Sequence, residues 1–141
     1  MTMRDCFAVV TPGLETVAAT ELQALGFTDA KVEDGGVAFT ADDAGLVRAN
    51  LTSRVASRIV VRLASFPATS FAELERKAKN VPWATAQAPD RPAAFRVTCR
   101  KSRLYHSDAV AERLAKSVAR AVPGVAVEAN AADDDATVTA Q

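Results

Sequence analysis

The sequence predicts an α+β protein in two modules, residues 1–66 and 67–141. Two patterns predict it. Residues 1–66 order their apolar runs as strand-helix-strand-strand-helix-strand, the split βαβ arrangement of a ferredoxin-like domain. Residues 67–141 read helix-helix-strand-helix-strand-strand, a small α/β sheet module. With 49% hydrophobic residues in 141, the chain can bury a core, which excludes wholesale disorder.

Cys6 to Val10 is a short apolar run, read as the first strand. Thr11 fits an N-cap and Pro12 the first helical position. Leu14, Val17, Ala18, Leu22 and Leu25 then space as a buried stripe, and Gly26 suits a left-handed C-cap. Lys31–Glu33 and Val37–Phe39 read as a hairpin around Asp34-Gly35-Gly36. A second helix is expected from about Asp42 to Ser53, with Leu46, Val47 and Leu51 inward. Ser57 to Phe66 reads as the fourth strand. Ile59, Val61 and Leu63 alternate there with Arg58, Val60 and Arg62. Two helices on one sheet face leave the other available, so Arg58 and Arg62 are expected on the open face or an adjoining edge.

Pro67 breaks the pattern. Ser70-Phe71-Ala72-Glu73 is a capping box that starts a helix ending near Asn80. Phe71, Leu74 and Ala78 are expected inward, with Glu75, Arg76 and Lys79 outward. Pro82 and Trp83 begin a short helical turn, with Trp83 as a core or interdomain anchor. Residues 88–94 form a loop. Phe95, Val97 and Cys99 alternate with Arg96, Thr98 and Arg100, the period of a half-buried strand. Ser107 or Asp108 is a good N-cap for a helix with Val110, Leu114 and Val118 inward, ending near Val122-Pro123-Gly124. Val125 to Ala129 reads as a strand. Asp133-Asp134-Asp135 reads as a turn, and Ala136 to Ala140 as a return strand.

The formal net charge is zero, but its distribution is uneven. Residues 1–53 hold 3 basic and 8 acidic side chains, and residues 54–90 hold 6 and 3. Residues 91–120 hold 8 and 2, and residues 121–141 hold 0 and 4. A basic block thus lies between acidic flanks, and local patches set the field a ligand meets. Its densest part is Arg100, Lys101, Ser102, Arg103, Tyr105 and His106, just ahead of a helix N-terminus. Flexible cations, free backbone N–H donors and one aromatic ring are the parts of a phosphate or RNA contact site. Arg113, Lys116 and Arg120 share one face of the following helix and extend the basic surface, or serve as an ordinary solvated face. Arg48, Arg54, Arg58 and Arg62 are read as structural or interdomain residues, with RNA contact as the alternative.

Several functions are excluded. The single His106 makes no recognisable pair with a Cys or Ser nucleophile. Cys6 and Cys99 have no metal-type spacing and read as buried strand thiols of a cytoplasmic protein. Gly35-Gly36 suits a hairpin, not a nucleotide-binding turn. No run approaches the roughly 18 apolar residues of a membrane span, and no signal peptide opens the chain.

The segment KSRLYHSDAVAER, read with TPGLETVAATELQALGF, GGVAFTADDAGLVRANLTSRVASRIVVRLASFPA and SFAELERKAKNVPW, resembles the front half of THUMP-domain RNA methyltransferases. The similarity runs from about Phe7 to about Gln141. It is closest to enzymes that methylate the N2 of guanine in ribosomal or transfer RNA. The resemblance implies a THUMP RNA-binding domain over residues 67–141, cut short at its C-terminal end. It also implies a covalently linked methyltransferase domain that uses S-adenosylmethionine bound outside this chain. RNA, without DNA specificity, is the implied partner, and Arg100, Lys101, Ser102, Arg103, Tyr105, His106, Arg113 and Lys116 are its expected contacts. The Asn/Asp-Pro-Pro-aromatic signature of such catalytic domains is absent, so this chain alone is not expected to methylate. A stand-alone RNA-binding adaptor and a protein-interaction module without RNA binding are the alternatives.

Overall fold

The computed structural model describes residues 2–86, 90–97, 107–128 and 137–140. They form two units, Met1–Arg62 and Leu63–Gln141, each with its own core.

The first unit runs β1 (Arg4–Val9), α1 (Glu15–Ala24), β2 (Lys31–Glu33), β3 (Gly36–Ala41), α2 (Asp43–Thr52) and β4 (Arg58–Arg62). Its sheet has the order β2-β3-β1-β4, antiparallel throughout. This is the ferredoxin-like arrangement expected from the element order. The period of two along each strand divides the sheet faces. Cys6, Ala8, Val37 and Phe39 turn inward to meet Ala18, Leu22 and Ala49 of the two helices. Phe27 packs on Phe39 with ring centroids 5.0 Å apart.

The helices follow their sequence reading in part: Ala18, Leu22, Leu25 and Leu46 pack on the core as expected, while other expected positions turn outward. Thr11 does not cap α1. Its carbonyl accepts the Leu14 N–H in a turn, and Gly13 takes a left-handed φ of 97°, which a helix cannot contain. The helix therefore starts at Glu15, and its buried stripe is Ala18, Ala19 and Leu22. Leu14 and Val17 face outward. At the other end Gly26 is left-handed as expected. The Phe27 N–H donates to the Leu22 carbonyl and the Gly26 N–H to that of Gln23, closing a Schellman motif. In α2 the Asp42 carboxylate accepts the Gly45 N–H at 2.7 Å and sets the phase. Gly45 and Ala49 then face the core. Val47 and Leu51, expected inward, are 59% and 80% exposed. Small residues win the inner positions because a Cβ at Gly45 would already crowd Ala41 at 3.2 Å.

One buried-edge carboxylate ties the unit together. Glu21 of α1 accepts from the Ser53 hydroxyl at 2.7 Å and from the backbone N–H groups of Arg54 and Val55. Desolvation pushes its pKa up, but these donors outweigh that and leave it below the usual value.

The second unit contains α3 (Phe71–Ala78), α4 (Trp83–Ala86), β5 (Ala93–Val97), α5 (Ser107–Ala121), β6 (Val127–Glu128) and β7 (Thr137–Ala140). Leu63 and Phe66 pack here and do not extend β4. Leu74 and Ala78 of α3 meet Val110, Ala111, Leu114 and Val118 of α5, the stripe expected from their spacing. Trp83 is buried and its indole N–H donates to the Ala78 carbonyl at 3.0 Å. The sheet order is β6-β5-β7, and both outer strands run parallel to β5. The expected β6–β7 return hairpin is therefore not formed. Flanking β5 on both edges gives its backbone groups ladder partners that a terminal hairpin would leave bare.

Three outcomes follow for stability. Leu22→Ala removes a fully buried side chain and is expected to cost about 2–5 kcal/mol in denaturant unfolding. Gly36→Ala would place a methyl 2.0 Å from the Ala8 carbonyl oxygen and is expected to lower Tm sharply. Because Glu21 is held below the usual carboxylate pKa, its contribution is present above that ordinary value and fades as pH falls through the lowered folded-state one. In circular-dichroism melts, wild type should exceed Glu21→Gln at neutral pH, and the gap should close on acidification.

Candidate nucleic-acid interface

The basic surface of the second unit is built on α3 and α5. The Val110–Leu114–Val118 stripe buries one side of α5 and turns Arg113, Lys116 and Arg120 to another. Arg113 is not free for a ligand. Its guanidinium donates to Glu75 of α3 at 2.6 Å and lies 4.5 Å over the Phe71 ring. The Phe71 contact and the bond to Glu75 make this cation a brace between the two helices. Lys116 pairs loosely with Glu112, one turn earlier, at 3.8 Å, and both are well exposed. Arg120, Arg76 and Lys79 are exposed. Among the described residues, none of these three has an ion pair. Available cationic charge therefore sits on Lys116, Arg120, Arg76 and Lys79. The last two were read from sequence as a merely outward-facing part of α3.

Lys77 is committed elsewhere. It pairs with Glu73 at 2.8 Å and donates to the Pro67 carbonyl. The Lys77 bond, followed by the Thr69 N–H and hydroxyl, lowers the Glu73 pKa to about 2. The capping box is thus formed with a shift of one residue. Ser70 accepts the Glu73 N–H, while Glu73 reaches back to Thr69 instead of the Ser70 N–H.

Arg100, Lys101, Ser102, Arg103, Tyr105 and His106 lie outside the described residues. So do Cys99 and Asp133-Asp134-Asp135. Of the sequence-predicted contacts, the structure places Arg113 and Lys116, and it brings them onto one helix 3 residues apart.

The first unit holds a second surface, the sheet face that its helices leave bare. Phe7, at the centre of β1, faces that side, out of phase with Cys6 and Ala8. Arg62 lies 5.5 Å over its ring and pairs with Glu33 at 3.4 Å. Arg48 is instead spent on the Phe27 ring, 4.9 Å away. Sequence reasoning placed Arg58 and Arg62 near this face but passed over Phe7. The signal was there: it is the large ring on the odd phase of an otherwise core-facing run.

Among the described residues, no group of His, Cys, Asp or Glu side chains could hold a metal ion, and no helix is long and apolar enough to cross a membrane. Cys6 is buried, and burial raises its thiol pKa, as expected of a structural strand cysteine. At the β1–α1 turn the Gly13 N–H is taken by the chain's own Glu15 carboxylate at 2.9 Å. The sheet there is antiparallel, not the parallel sheet of a nucleotide-binding α/β fold.

The first unit is a ferredoxin-like domain, with two helices on one face of a four-stranded antiparallel sheet. Residues 5–60 match the family model of the RlmL ferredoxin-like domain. The chain is 38% identical over 106 residues to "Putative RNA methyltransferase slr0064" of Synechocystis, covering 75% of this chain and 28% of that protein. Its structure is similar to that of a predicted N6-adenine-specific DNA methylase from Listeria monocytogenes, with TM-score 0.78, 35% identity and 86% of this chain against 32% of the other. It is also similar to SMU.472, "a putative methyltransferase complexed with SAH", with TM-score 0.79, 25% identity and coverage of 86% and 32%. The chain thus spans about a third or less of each of these three proteins.

Arg113→Ala is expected to lower stability by about 1 kcal/mol, through the exposed ion pair and the lost contact with Phe71. Lys116→Ala and Arg120→Ala should leave Tm unchanged, because neither contributes to packing. Thermal melts of the three variants check this separation of bracing from available charge.

Proposed function

We propose that this chain is the RNA-binding N-terminal part of an S-adenosylmethionine-dependent RNA methyltransferase. In this reading the second unit is a THUMP domain. The two units hold structured ribosomal or transfer RNA and present a guanine for N2 methylation to a catalytic domain in the rest of the polypeptide. The observation that carries the reading is the 38% identity, over three quarters of this chain, to a protein named as an RNA methyltransferase. The coverage of that protein supports a further domain, since 72% of its length lies beyond the match to this chain's 106 residues.

The chemistry available to this chain is positioning. The basic segment that precedes α5 in sequence, with Lys101 and Arg103, would hold phosphates. Lys116 and Arg120 would extend the same field along the helix. Such contacts read RNA shape more than base edges. The methyl donor would be held by the catalytic domain and would supply the methyl group there. The work of this chain is to bring the substrate within reach and fix its register.

Binding of the chain to total tRNA and to rRNA fragments across a salt series tests this. Wild type should bind, with log K falling by about 0.7 per phosphate contact for each decade of salt on single strands. Lys101→Ala/Arg103→Ala should bind more weakly with a smaller slope. A folded wild type that binds no RNA at low salt would sink the reading.

A further inference from the structure

We infer that the open sheet face of the ferredoxin-like unit is a second RNA site, which takes an unpaired nucleotide by stacking it on Phe7. This rests on the reading of the chain as RNA-binding. It adds a site on a different unit, with a different source of affinity.

The register builds the site. Phe7 of β1 stands opposite Val60 of β4 and Ala38 of β3, so the ring is central on the helix-free face. Beside it, Gly36 leaves room for the ring. A Cβ there would come within 2.8 Å of Phe7 Cε1, so the ring leans over the bare glycine. An aromatic ring laid over a glycine on a sheet is held in place without being covered. The guanidinium of Arg62 already occupies the position over the ring. A planar group is therefore accommodated there. The hold on Arg62 is weak: its bond to Glu33 is long, at 3.4 Å, and both side chains are more than 40% exposed. A base can displace that guanidinium or stack with it at little cost.

The charges choose the partner. Arg58, opposite Val9, and Lys31, opposite Ala38, stand at the two edges of the face. Asp5 and Glu33 offset two of the three cations on the face, so it is mixed in sign and not a strongly basic groove. Affinity must then come from the ring face, with phosphates held at the edges. Base–aromatic stacking with edge cations is the physics of single-strand recognition on four-stranded sheets. A duplex, with its bases already stacked, gains nothing from the ring.

The test uses the 141-residue chain and fluorescein-labelled octauridylate, read by anisotropy over a salt series. Phe7→Leu keeps an apolar side chain over Gly36 but removes the π-face. It should weaken binding roughly tenfold and leave the salt slope unchanged. Arg58→Ala should weaken binding and reduce the slope. With 4-thiouridine in the oligonucleotide, photocrosslinks to wild type should fall in the tryptic peptide of residues 5–31, which needs no variant to fold. Phe7→Leu and Arg58→Ala that bind like wild type, with crosslinks confined to residues beyond 62, would overturn this site and leave the RNA-binding reading standing. A folded wild type that binds no RNA of any kind would overturn both.

Discussion

The first unit depends on the burial of a single face of β1. That strand is central, with β3 on one side and β4 on the other. Its inward residues, Cys6, Ala8 and Val10, are among the most buried in the chain. They are small, so α1 and α2 approach closely and present Ala18, Ala19 and Ala49 in return. Close approach through small residues leaves several larger side chains, Leu14 just before α1 with Val17, Val47 and Leu51, on the outside, while Leu22 and Leu46 pack inward. The same burial turns Phe7 to the bare face. A strand with period two cannot hide both sets, and the core takes the set that packs.

Charge in the second unit is divided between bracing and display. Arg113 and Lys77 are consumed within the fold, one by Glu75 and Phe71, the other by Glu73 and a backbone carbonyl. Each consumed cation has a carboxylate on α3. What remains for a ligand is the set without such partners, on the outer sides of α3 and α5. A count of basic residues along the chain therefore overstates the field. Geometry decides which of them a phosphate would meet.

The two units offer different chemistry. One carries surplus cations on helices, suited to the regular charge of a phosphate backbone. The other carries a ring over a glycine with charges nearly balanced, suited to a base. RNA bound to both would be read once for shape and once for an unpaired position.

The sequence by itself determined the element order, the ferredoxin-like arrangement of the first half, the α5 stripe of Val110, Leu114 and Val118, and the turns at Gly26 and Gly35. These follow from local rules: side-chain period, capping chemistry and the freedom of glycine at positive φ. The family resemblance was legible too, from ordered blocks spread over the chain. Only the tertiary structure decided the rest. It decided which apolar residues of α1 and α2 stay outside, because Gly13 and Asp42 fix where each helix begins and Ala18, Ala19, Gly45 and Ala49 fill much of the inner surface beside Leu22. It placed β6 and β7 on opposite edges of β5, because strand partners are chosen by open ladder positions and not by nearness in sequence. It spent Arg113 on Glu75, 38 residues away, and laid Phe7 over Gly36, 29 residues away. Those pairings join residues distant along the chain, and no local pattern encodes them.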